Sequence, residues 1–91
     1  MMKEAQTEAI IIQRITGKII KLHPSGWGFI TSKDKPFTRI FFHWSGLKSD
    51  TKNFTELTTG MMVEFDLIYY DNPTVGKKGW RAIKIEVLND N

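Results

Sequence analysis

Trp27 and Phe29 stand two residues apart, and so do Phe41 and His43. At a two-residue period, each pair projects from one face of an extended strand. Flat rings held side by side on an open face can stack on planar ligands. The bases of single-stranded nucleic acid are the natural ligands of that shape. The other face of each run carries Gly26, Gly28 and Ile30, or Ile40, Phe42 and Trp44. A small domain needs one apolar face per strand for its core. Ile30, Ile40 and Phe42 meet that need, so Trp27, Phe29 and Phe41 are a surplus, and core packing is the weaker account of them. His43 is read as a stacking or hydrogen-bonding group, not an acid–base catalyst, because no nucleophile or carboxylate pair accompanies it.

Cations stand close to these runs. Lys18 and Lys21 flank the strand before them, while Lys33, Lys35 and Arg39 bracket the segment between them. Lys77, Lys78, Arg81 and Lys84 form a basic cluster near the C-terminus, and no acid occurs from 72 to 85. Each lysine alone reads as an ordinary solvated side chain. Together Lys18, Lys21, Lys78 and Arg81 could neutralise a few phosphates. Acids concentrate elsewhere, at Glu56, Glu64, Asp66 and Asp71. The net charge of +3 favours an anionic partner only weakly.

Composition narrows the classes. The chain has 91 residues, enough for one domain with a modest core. It contains no cysteine, so disulfides, thiolate metal sites and cysteine nucleophiles are excluded and a reducing, cytoplasmic setting is expected. The apolar run at 9–12 is too short for a signal-peptide core or a membrane span. Two histidines without a carboxylate cluster make a poor metal site, and no cofactor is expected. A nuclease would need an acidic metal-binding cluster, so no enzymatic activity is expected.

Elements that could hold the rings follow from alternation and turn residues. Strands are predicted at 15–22, 26–32, 38–44, 61–70 and 80–88, with Val63, Phe65, Leu67 and Tyr69 on one face of the fourth and Ile83, Ile85 and Val87 on one face of the fifth. The turns are His23-Pro24-Ser25-Gly26, Lys33-Asp34-Lys35-Pro36 and a loop at 71–79. His23 is read as a turn residue. The strand glycines Gly26 and Gly28 imply either a sharp bend or the close approach of another backbone. The long polar segment 45–60 has Phe54 and Leu57 as its apolar anchors. Residues 1–9 read as a mobile tail or a frayed helical turn, and 9–15 either lengthens the first strand or packs separately. Five short strands without a helical period predict an all-β, five-stranded antiparallel barrel. The division is an N-terminal extension at 1–14 and a domain at 15–89.

At this point the chain resembles the cold-shock domain family. Gly26-Trp27-Gly28-Phe29-Ile30 resembles the family's first ribonucleoprotein motif, Lys-Gly-Phe-Gly-Phe-Ile, and Ile40-Phe41-Phe42-His43-Trp44-Ser45 resembles the second, Val-Phe-Val-His-Phe with its following serine. Gly17-Lys18-Ile19 is similar to the opening Gly-Lys-Val, Phe54-Thr55-Glu56-Leu57-Thr58-Thr59-Gly60 to Phe-Lys-Thr-Leu-x-x-Gly, and Val63-Glu64-Phe65 to the next strand. Gly79 and Ala82 stand where the family has Gly-Pro and Ala. The ordered set covers roughly residues 16 to 88.

The resemblance implies an OB-type barrel that binds single-stranded RNA or DNA, often pyrimidine-rich, as an RNA chaperone or gene-expression regulator. By position it makes Trp27, Phe29, Phe41, His43, Trp44 and Phe54 base-stacking residues and Lys78 a backbone contact. It moves Trp44 from the inner face, where strict alternation put it, to the binding side. Trp44 and Trp80 remain open between edge packing and ligand contact, and Phe54 between plugging the barrel and reaching the ligand. There are departures. The family's first strand carries Lys-Trp-Phe-Asn where this chain has Ile20-Lys21-Leu22-His23, so two platform rings are missing. The 71–79 loop is longer, and Trp80 replaces the family's proline, where it could restore a stacking surface. The rival expectation is a protein-interaction module, a homodimer included, that uses the aromatic face or the edge at 10–12.

Overall fold

The structure is a computed structural model that describes residues 8–72, 74 and 76–88, with backbone alone for 8–12, 72 and 77. The elements are β1 (Glu8–His23), β2 (Trp27–Ser32), β3 (Lys35–His43), β4 (Met62–Asn72) and β5 (Lys77–Val87). Two short 3-10 turns, Trp44–Gly46 and Phe54–Glu56, lie between β3 and β4. The strands close into a barrel in the order β1-β2-β3-β5-β4.

The all-β, five-stranded barrel is as expected, with one refinement of its pairing. Four seams are antiparallel, but β3 and β5 run parallel where they close the barrel, at Phe41 beside Arg81. That seam is short. It is supplemented by a bridge between Leu47 and Ile85 and by the Lys48 N–H donating to the Ile85 carbonyl. A parallel closure follows from the chain path, because the 45–60 segment carries the chain across the barrel end before β4 begins.

Alternating inward residues form the core: Ile15 and Ile19 from β1, Ile30 from β2, Ile40 and Phe42 from β3, Val63, Phe65 and Leu67 from β4, Ala82 and Ile85 from β5. Leu57 plugs the end. Ile30, Ile40 and Phe42 are almost wholly buried, as the alternation predicts. Gly28 shows why no side chain is tolerated at its place. An added Cβ would lie 2.2 Å from the Lys21 carbonyl oxygen and 2.8 Å from the Phe42 ring. Of the two readings of the strand glycines, Gly28 is therefore a close approach. Gly26, at φ +102, belongs to the turn.

Several boundaries and faces differ from the sequence reading, each for a local reason. Residues 9–15 do not pack separately; they lengthen β1 and pair with β4. Residues 1–7 lie outside the described part. His23 closes β1 rather than sitting in the turn, and Lys35 and Pro36 already belong to β3. Most of the expected 71–79 loop is strand, since β4 and β5 remain paired as far as Asn72 beside Lys77. On β5, Lys84 adopts φ +52 and the register with β4 slips by one residue there. That bulge turns both Ala82 and Ile85 inward and leaves Ile83 only half-buried, against the simple alternation of Ile83, Ile85 and Val87. Tyr69 is half-buried, not fully inside, and Ile68 on the other face of β4 is buried as well, flanked in the ladder by Ile11 and Arg81.

Candidate nucleic-acid interface

The β2–β3 ladder sets the platform. Trp27 lies opposite His43, and Phe29 opposite Phe41. Partners across an antiparallel ladder share a face, so all four side chains project to the outside of the barrel. The inward neighbours Gly28, Ile30, Ile40 and Phe42 hold that arrangement from beneath. The Trp27 ring lies 6.0 Å from Phe41 at an angle of 29°, and Phe29 meets Trp27 and Phe41 edge-on at 5.7 and 6.0 Å. All of these residues are half-exposed. A face of rings with free area, set on paired strands, is what base stacking requires.

β1 completes the near side. A bulge between Ile19 and Lys21 leaves Ile20 unpaired and places Lys21 opposite Phe29. His23 comes opposite Trp27, and the two rings stack at 4.5 Å and 9°. His23 was missed as a platform member. Counting back across the short Pro24-Ser25-Gly26 turn pairs it with Trp27 and would have found it. Lys18, opposite Thr31, lies farther out on the same strand and lines a separate groove with Ile20 and Met62.

Trp44 leaves the alternation because β3 ends at His43 and a 3-10 turn begins. Its N–H donates to the Gly26 carbonyl at 2.8 Å, and its indole lies over Gly26 and beside His43. At 56% exposure it is more open than any of the four platform rings. His43 Nδ1 lies 2.8 Å from the Ser45 hydroxyl and accepts the Ser45 N–H, which fixes the imidazole. Phe54 points the other way. It packs on the core, 6.1 Å from Phe42, while also lining a groove with Trp44.

On the far side Arg81 joins the platform to β4. Its guanidinium carbon lies 4.9 Å from the Phe41 ring centre and 4.3 Å from that of Tyr70. Arg39 lies similarly over Phe29, at 5.2 Å. Trp80 packs edge-on against Tyr69 at 5.0 Å and carries the Lys35 ammonium 4.0 Å from its ring centre. Lys78 is exposed and lines a depression with Phe41, Tyr70, Gly79, Trp80 and Arg81. Tyr70 and Arg39 were also missed. The hairpin register of β4 and β5, hidden by the assumed loop, is what brings Tyr70 here.

Charge is divided between faces. Glu64, Asp66 and Glu86 gather on β4 and β5 around Arg14, at 3.7, 3.1 and 3.3 Å, and Glu86 also meets Lys48 at 3.6 Å. These three carboxylates share Arg14 and, through Glu86, Lys48, while Lys21, Arg39 and Arg81 border the rings. Among the described residues no group of three His, Asp or Glu side chains could hold a metal ion. No helix there is long and apolar enough to cross a membrane.

Comparison with curated proteins and with solved structures returned no match. A family model did match: the 'cold-shock' DNA-binding domain, over residues 15–88. The match begins at the first core residue of the barrel, takes in every ring of the platform and ends just past β5. The chain therefore belongs to the cold-shock domain family, a family of nucleic-acid-binding domains.

Proposed function

We propose that this domain binds single-stranded RNA or DNA by stacking bases on Trp27, Phe29, Phe41 and His43. Trp44 and Trp80 extend the surface at opposite ends, and Phe54 borders it beside Trp44. Lys18, Lys21, Lys78 and Arg81 hold the phosphates. The observation that carries this reading is the four-residue outer face of β2 and β3, which the core does not use. Residues 15–89 are the binding domain, preceded by an N-terminal extension at 1–14. Stacking accepts every base, so sequence preference is modest, with pyrimidine-rich strands favoured through stacking strength and backbone flexibility. A sequence-tolerant single-strand binder suits an RNA chaperone or gene-expression regulator in the cytoplasm.

Tryptophan fluorescence titration with oligothymidylate or oligouridylate tests the reading. Phe29→Ala and Phe41→Ala each weaken binding about tenfold, from the ~1–3 kcal/mol that one stacked base contributes, and both variants stay folded. Unchanged affinity in both would remove the stacking model.

A second reading rests on a different observation. Among the described ladders, β1 from Glu8 to Thr16 pairs with β4 on one side only, and its pairing with β2 starts at Lys18. An unpaired strand edge is a docking place for another chain or a second copy. A stable dimer that ignores oligonucleotides at low salt would favour this reading.

A further inference from the structure

We propose that two copies of this domain associate through an apolar ridge formed by Ile20, Met62 and Leu88, about a two-fold axis at Met62. The surface is separate from the ring platform and from the Glu8–Thr16 edge, and the inference does not depend on the single-strand reading.

Five large apolar side chains are exposed among the described residues: Ile20, Phe37, Trp44, Met62 and Leu88. Trp44 stands beside the platform, and Phe37 lies near the start of β3. The other three adjoin one another. Ile20 and Met62 line one groove, and Met62 and Leu88 line a second. The Leu88 N–H donates to the Met62 carbonyl at 2.9 Å, just past the end of β5. Each faces outward for a backbone reason. The bulge between Ile19 and Lys21 leaves Ile20 without a ladder partner, and Met62 opens β4 opposite Lys18, next to the buried Val63. Ile20 and Met62 are each 41% exposed and Leu88 is 36% exposed. A single exposed apolar residue needs no explanation, but a joined ridge of three marks a contact surface. In the barrel order β1-β2-β3-β5-β4 the ridge crosses β1, β4 and the end of β5, whereas the platform stands on β2 and β3.

The chemistry of the ridge selects a protein surface. It carries no ring for a base, and each groove holds an acid, Asp34 or Asp50, that opposes a phosphate. The distribution of charge then selects a second copy. The groove beside Ile20, of about 620 Å³, bears Lys18, Lys33 and Asp34. The groove beside Leu88, of about 430 Å³, bears Asp50 and Lys52. A two-fold axis at Met62 lays each groove of one copy on the opposite groove of the other, as a self-complementary interface requires. Lys33 then faces Asp50 of the second copy, and Asp34 faces Lys52. Ile20 meets Leu88, and the flexible Met62 thioether meets its own counterpart, a side chain suited to adaptable contacts. Both platforms stay outside the contact. A patch of this extent gives a weak, reversible dimer, at the low end of interface sizes.

Sedimentation velocity from about 5 to 500 µM, the range of weak contacts, tests this. The parent protein moves from monomer toward dimer as concentration rises. Met62→Asp raises the dissociation constant at least about tenfold, the loss of one buried apolar side chain on each copy. Asp50→Lys, which sets like charges against Lys33, raises it about fivefold. Asp50→Lys combined with Lys33→Asp brings it back to within about twofold of the parent, because the pair is restored with its signs exchanged. All three positions are exposed, so the variants stay folded. Phe29→Ala leaves the dimer unchanged. A parent protein that is monomeric throughout, a dimer that survives Met62→Asp, or a double variant no better than Asp50→Lys overturns the interface. A dimer that Phe29→Ala dissolves places the contact on the platform and overturns it too. No oligonucleotide enters the measurement, so its failure leaves the single-strand reading to its own titration.

Discussion

Phe41 and Phe42 are neighbours in sequence with opposite duties. Phe42 is 1% exposed inside the barrel, whereas Phe41 is half-exposed on the platform. Phe42→Ala should therefore lower stability by about 3–5 kcal/mol, the usual cost of emptying a buried phenylalanine site. Phe41→Ala should move the urea midpoint far less while weakening oligonucleotide binding. Equal losses of stability in the two would mean that Phe41 is a core residue. Gly28 is the backbone counterpart of this contrast. A Cβ there would collide with the Lys21 carbonyl oxygen and the Phe42 ring, and neither can swing away. Gly28→Ala should cost about 3 kcal/mol, at the upper end of ordinary overpacking, and a urea midpoint equal to the parent's would show that β1 and β2 can separate. At this scale the site was largely legible, because side-chain type and two-residue spacing decide which rings are surplus. His23 was not, since its stacking on Trp27 depends on where β1 ends.

Elements were legible where alternation is uninterrupted and illegible where one residue breaks it. β2 and β3 present their expected faces throughout. β5 does not, because Lys84 at φ +52 inserts an extra residue against β4. Nothing in the side chain of a lysine announces a left-handed backbone, so Ile83 was assigned the place that Ala82 holds. The same break makes a prediction. Lys84 is exposed, so substitutions there change backbone strain more than packing. Lys84→Gly relieves the strain and should leave stability unchanged or slightly raised. Lys84→Val should lower it by about 1–2 kcal/mol, since the left-handed conformation is hardest on branched side chains. Thermal melts that rank valine above glycine would mean that the bulge is absent in solution. The parallel β3–β5 seam was also out of reach, because it is set by the route of the 45–60 segment rather than by any strand's own pattern. Glycine and proline at 73–79 suggested a long loop, yet pairing persists to Asn72 beside Lys77, and this register brings Tyr70 and Arg81 to the platform.

Over the whole molecule, placement of charge matters more than its total. A net charge of +3 is unremarkable, but the carboxylates of Glu64, Asp66 and Glu86 are drawn together by Arg14. On the proposed reading, an anionic strand on the ring face would meet its cations without these three acids opposing it. If Lys18, Lys21, Lys78 and Arg81 each neutralise one phosphate, log affinity should fall with log salt at a slope near −3, from ~0.7 per phosphate of a single strand. Between about 50 and 200 mM salt that is a loss of roughly fiftyfold. Lys21→Gln should reduce the slope by about 0.7, while Phe29→Ala should weaken binding at every salt concentration and leave the slope alone. Arg14→Gln separates the two faces. It leaves three partly exposed carboxylates facing one another, so stability should fall by about 1 kcal/mol at low salt and recover as salt is added, the modest size expected of a screened surface network. Its oligonucleotide affinity and salt slope should match the parent's. A slope that shifts with Arg14→Gln as much as with Lys21→Gln would mean that the strand follows the β4–β5 acidic side instead, and a slope near zero would mean that no phosphate is held.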